Sequence, residues 1–178
     1  MNSLATEFLQ AAAWVSFAIY TGVLIYAAAS DLVTFEIPNW ASVVALVAFL
    51  VVAGAAGLSA AEIGAHLSAG AVVLVVGFLM YLKGMSGAGD VKLLAAAAVW
   101  VGWRPLFEFL VVIALAGGIL ALVILAYRRF SLGPQFAAVS WLAKLHEKDC
   151  GIPYGIAICL AALYLLPYLP MIETLRAP

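Results

Sequence analysis

From Leu9 to Ser30 the chain runs a full helix length without a charged residue, and it does so again from Pro38 to Gly57 and from Ile152 to Leu169. A helix that crosses a bilayer needs about 20 mostly apolar residues, so runs of this kind make lipid the expected solvent. Composition agrees: 67% of the 178 residues are hydrophobic and 10% are charged, against about 25% charged in soluble domains. A formal net charge of −1, with eight Lys and Arg spread thinly, offers no field for nucleic acid. Cys150 and Cys159 are the two cysteines, with no Cys-x-x-Cys pair, so neither a zinc site nor a disulfide framework is expected.

Charges and Gly/Pro breaks cut the chain into six segments: 9–30, 38–57, 67–82, 90–102, 105–127 and 152–169. Pro38 suits a first helical turn. The stretch from Ser59 to His66 reads as a connector, Lys83 to Gly89 as a glycine-rich break, and the fourth segment is short for a span. Arg128 to Gly151 is the longest polar stretch. There Phe136, Val139, Leu142 and Leu145 recur at three-residue spacing beside Lys144, Glu147 and Lys148, as in an interfacial amphipathic helix, with a solvated loop as the alternative. The expected architecture is an all-α membrane protein, a polytopic bundle of about six transmembrane helices forming one domain over 1–178. Met1 to Gln10 contains Glu7 but no Lys or Arg, so the first apolar run is expected to be retained rather than cleaved as a signal.

Six spans put both termini on one side. Lys83, Arg128, Arg129, Lys144 and Lys148 fall on the side of the loops 31–37, 83–89 and 128–150, with Lys92 just inside the fourth helix; Arg104 and Arg176 fall on the other. The richer side is expected to be cytoplasmic and the termini to lie on the far side. No internal repeat supports a transporter built from inverted halves.

Most ionisable residues, among them Glu7, Glu62, His66, Arg104, Glu108, Glu173 and Arg176, have ordinary interfacial explanations. Asp31 ends a long uncharged run and Asp90 follows a glycine-rich break, and the topology brings both to one membrane surface. Taken singly, Asp31 reads as a stop residue and Asp90 as a helix N-cap, and Lys83 or Lys92 is available to neutralise either. Taken together, two close carboxylates share one proton, because a second negative charge nearby disfavours ionisation. Such a pair activates water for peptide hydrolysis without metal or cofactor. Gly87 and Gly89 allow positive φ and a close backbone approach to Asp90.

Three stretches resemble one family. They are Asp31-Leu32-Val33-Thr34-Phe35-Glu36-Ile37-Pro38-Asn39, then Gly87-Ala88-Gly89-Asp90-Val91-Lys92-Leu93-Leu94 with Trp100-Val101-Gly102-Trp103, and Ile152-Pro153-Tyr154-Gly155-Ile156-Ala157. In this order they are similar to the type IV prepilin peptidases, of the GxGD class of membrane aspartyl proteases. The resemblance implies that Asp31 and Asp90 are the catalytic pair and that Gly87 and Gly89 complete the signature. It implies as substrate a prepilin whose short positive leader is removed at the cytoplasmic face of a bacterial inner membrane, before assembly by pilus or secretion machinery. Glu36, beside Asp31, either perturbs that acid or faces the leader's basic residues; Asn39 and Lys92 stand in the same motifs. The 31–37 loop is too short for the zinc-binding insertion of the methylating long members, so the chain resembles the short form found with tight-adherence pili. A non-catalytic assembly or ion-coupled transport component is the rival expectation.

Overall fold

The computed structural model describes residues 3–130, 133, 138–147 and 150–172. Helices follow in the order α1 (Ser3–Thr34), α2 (Asn39–Ala55), α3 (Ala60–Leu82), α4 (Ala88–Val101), α5 (Leu106–Tyr127), α6 (Ser140–His146) and α7 (Gly155–Leu165). A 3-10 turn, Leu166–Tyr168, extends α7, and no strand occurs among the described residues. Three stretches, Glu7–Thr34, Ala60–Leu82 and Leu106–Tyr127, are long and apolar enough to cross a membrane, and Asn39–Ala55 and Gly155–Tyr168 are shorter apolar helices. The chain is an all-α membrane protein. Its outward side chains, such as Leu115, Ile119 and Leu122 of α5, are exposed and apolar, as lipid contact requires.

The order of the segments matches the sequence reading, and three boundaries do not: α1 runs from Ser3 to Thr34, so Asp31 lies one turn inside the helix rather than at its stop. Ser59 to His66 is no connector. The Ser59 hydroxyl accepts from the Glu62 N–H at 3.3 Å, and the Glu62 carboxylate accepts from the Ser59 N–H at 2.8 Å. This capping box starts α3 two turns before Leu67. The 128–150 stretch is likewise not one long amphipathic helix: its described helical part is Ser140–His146, with Leu145 buried and Lys144 exposed. Phe136 and Lys148 lie outside the described residues, as do Glu173 and Arg176. Arg128, read as a loop charge, braces this segment. Its Nε donates to the Leu145 carbonyl at 2.9 Å and its Nη2 to the Cys150 carbonyl at 2.8 Å.

Helix α4 has 14 residues, about 21 Å at 1.5 Å per residue, well short of a hydrocarbon core of about 30 Å. It is tolerated because protein surrounds it. Val91, Leu93 and every residue from Ala95 to Val101 are buried, against α3, α2, α7 and α5. Small residues permit the closeness: a Cβ on Gly77 of α3 would come within 2.8 Å of Val91, and one on Gly70 would collide with Val99.

Trp100 is the hub of this packing. Its ring stacks on Tyr20 with centroids 4.0 Å apart, meets Phe49 edge-on, and its indole N–H donates to the Ala45 carbonyl at 2.9 Å. Thus α1, α2 and α4 meet on one side chain. Replacing it with Ala is expected to cost about 3 kcal/mol, read as a lower melting midpoint in detergent; an unchanged midpoint would remove Trp100 from this role.

Candidate active site

Helix α1 ends in a turn that points its last carboxylate inward. The Thr34 hydroxyl donates to the Ser30 carbonyl at 2.7 Å, and the Ser30 hydroxyl donates to the Glu36 carbonyl at 2.8 Å. Phe35 between them takes φ +60°. An aromatic residue in the left-handed region costs on the order of 1–2 kcal/mol, and such outliers gather at functional sites. The Lys144 ammonium sits 4.7 Å above the Phe35 ring, so α6 is anchored on this turn. Pro38 then starts α2.

Asp31, one turn before Phe35, is buried at 6% exposure. Its Oδ2 accepts from the Gly155 N–H at 2.7 Å. That amide is one of the unpaired donors at the start of α7, and it fixes the carboxylate's direction. Asp90 is half-buried in the first turn of α4. Its Oδ2 accepts from the Gly87 N–H at 3.3 Å, so Gly87, not Asp90, is the N-cap residue.

Asp31 and Asp90 line one cavity of about 250 Å³, together with Phe35, Glu36, Ile37, Gly87, Ala88 and Gly89. The sequence-predicted residues Asp31, Glu36, Gly87, Gly89 and Asp90 are therefore brought together. A larger cavity of about 450 Å³ at the opposite helix ends includes Glu62, His66 and Arg104 but no second carboxylate.

The glycines act differently from expectation. Positive φ in the 83–89 loop falls on Gly84, and Gly87 has φ −75°. What Gly87 and Gly89 supply is proximity. A Cβ on Gly89 would lie 3.0 Å from the Ile37 Cβ, and one on Gly87 would lie 2.8 Å from the Asp90 Oδ2. Lys92 and Asn39 stand just outside the cavity and pair with each other, Nζ to Oδ1 at 2.7 Å. Lys92 thus turns to an amide, not to either acid.

Sequence reasoning missed three contributors. Gly155 was legible only as part of a motif opening the last helix, its contact with Asp31 spanning 124 positions. Phe35 was legible only inside the stretch that follows Asp31, and Lys144 only as a loop charge, since nothing in an aromatic residue announces positive φ.

Two aspartates carried by helix ends into one cavity of a helical membrane bundle define a membrane protein with a paired-acid cavity. The chain belongs to the type IV leader peptidase family, whose model matches residues 18–122, more than half of the sequence. It is a membrane peptidase. The matched span includes both aspartates and leaves out α6 and α7. No curated protein and no solved structure matches the chain.

Proposed function

We propose that the protein is an aspartyl endopeptidase that removes the short positively charged leader of type IV prepilin-like precursors at the cytoplasmic membrane face. The observation that carries this reading is the shared cavity of Asp31 and Asp90. One carboxylate, ionised, takes a proton from water as the water attacks the scissile carbonyl. The other, protonated, donates to the developing oxyanion and then passes a proton to the leaving amine. Support for the face comes from charge: Lys83, Lys92, Arg128, Arg129 and Lys144 stand at the acid-lined end of the helices, and Arg104 at the other. The α1–α2 loop holds only residues 35–38, which favours the short form of the family without the methyltransferase insertion, feeding a pilus assembly machinery.

The test is co-expression with a candidate precursor, with gel shift and mass locating the cut. A cut directly after the leader supports the proposal. A cut inside a membrane span makes the protein an intramembrane protease of the same class, and no cut in several precursors gives the lead to an assembly or transport role.

Glu36 is exposed on the cavity rim, where it can meet basic leader residues. Glu36→Gln is expected to lower cleavage by up to about fivefold, the worth of one exposed ion pair, and to flatten the dependence on leader charge. Unchanged charge dependence would remove this role.

A further inference from the structure

Lys92 is a cation turned away from the acids. Two positions along a helix are a rotation of about 200°, so Lys92 and Asp90 face opposite sides of α4. The Lys92 ammonium donates to the Asn39 side-chain oxygen at 2.7 Å. Both residues line a groove of about 460 Å³ on the flank of the bundle, between α2, α3 and α4. No carboxylate stands among the residues that line it.

The two ends of this groove differ. Asn39, Ser42 and Lys92 stand where α2 and α4 begin, at the same ends of the helices as the acid pair. Beyond them the lining is apolar, with Leu46 on α2, Leu74 on α3 and Val99 on α4. From Lys92 to Val99 the helix rises about 10 Å, most of the depth of one leaflet in a hydrocarbon core about 30 Å thick. A polar head at the membrane surface thus opens into a trough that runs toward the bilayer centre.

Donors are in excess at the polar end. Asn39 takes one of the three ammonium donors of Lys92, and its own amide nitrogen carries two N–H groups. The Ser42 hydroxyl is buried without a hydrogen-bond partner, and rotation of χ1 between staggered wells can re-aim it. Several donors around one positive charge fit a phosphate group. The trough fits hydrocarbon, because an empty groove forfeits dispersion contacts along its whole lining. A phospholipid carries both parts. Its head is expected to be anionic, since the ammonium of a zwitterionic head would meet a lysine and no carboxylate.

We propose that this groove is a binding site for an anionic phospholipid of the leaflet at the acid-lined end. The phosphate sits on Lys92, Asn39 and Ser42, and one acyl chain lies along α4. The site is separate from the acid pair and stands whether or not the protein cleaves a precursor.

The test is native mass spectrometry of the purified full chain in detergent, titrated with phosphatidylglycerol, with phosphatidylcholine of the same acyl chains, and with inorganic phosphate. Wild type is expected to bind the first phosphatidylglycerol about fivefold more tightly than phosphatidylcholine, the worth of one lysine at an anionic surface. Lys92→Gln is expected to bring the two lipids level, and Lys92→Arg to keep the preference. Lys83→Gln, at the same helix ends but outside the groove, is expected to keep it too. Ala71 is exposed on the groove wall, so Ala71→Trp fills the trough without disturbing the core. It is expected to weaken both lipids about tenfold, because the displaced chain loses its buried methylenes. Val75→Trp, facing outward at 60% exposure, is expected to match wild type. A preference that survives Lys92→Gln, or that Lys83→Gln removes equally, places the headgroup elsewhere and overturns the proposal. Lipid binding untouched by Ala71→Trp overturns it as well. Inorganic phosphate bound as tightly as phosphatidylglycerol would make this an ion site and not a lipid site, and a wild type without preference would end the proposal before any variant is compared.

Discussion

Asp31→Asn and Asp90→Asn are each expected to reduce leader removal by about a thousandfold or more, at equal protein level and with an unchanged melting midpoint. Asparagine keeps the size of the carboxylate and an acceptor oxygen, so the Gly155 N–H at 2.7 Å from Asp31 and the Gly87 N–H at 3.3 Å from Asp90 both retain a partner. What the amide loses is the ability to ionise and to carry a proton. Positioned proton transfer contributes roughly 10²–10⁴ in rate. Because the pair is proposed to share one proton, loss of either member removes the same step, and the double variant is expected to be no worse than either single one. Cleavage within tenfold of wild type in either variant would sink the paired mechanism. Additive losses in the double variant would show two acids acting independently.

The residues that the sequence made legible share one property: their signal is local. Charge-free runs marked α1, α2 and α7, because lipid disfavours charge over such lengths. The two aspartates could be assigned to one surface because counting helices fixes the parity of each loop, whatever the exact boundaries. Where a residue's meaning depended on a partner, the reading failed. Glu62 and His66 looked like connector charges, yet Glu62 closes a capping box with Ser59 and His66 hydrogen-bonds the Val99 carbonyl at 2.7 Å. Lys92 looked like a neighbour able to neutralise Asp90, but Asn39, 53 positions away in the chain, takes its ammonium. The short α4 looked marginal as a span and is instead deeply enclosed, which the packing of Val99 and Val91 against Gly70 and Gly77 explains.

Gly155→Ala is expected to cost about a hundredfold in kcat, with little change in KM and a small change in melting midpoint. A Cβ at this position would lie 2.9 Å from the Asp31 Oδ2, 3.1 Å from the Asp31 Cβ and 3.1 Å from the Ile37 Cδ1. The first distance is shorter than real Cβ contacts show, so the carboxylate or the start of α7 must shift. Either movement lengthens the 2.7 Å hydrogen bond that aims Asp31, and a misplacement of about 1 Å in a reacting group costs on the order of a hundredfold. Gly155 is not among the residues that line the acid cavity, which is why KM is expected to hold. Gly151→Ala is the control. It sits four residues earlier in the same linker, where an added Cβ meets nothing within 4 Å, and full activity is expected. If Gly155→Ala cuts as well as wild type, α7 does not aim Asp31 in the working enzyme. A loss that appears equally in Gly151→Ala would instead assign the effect to the stiffness of the linker.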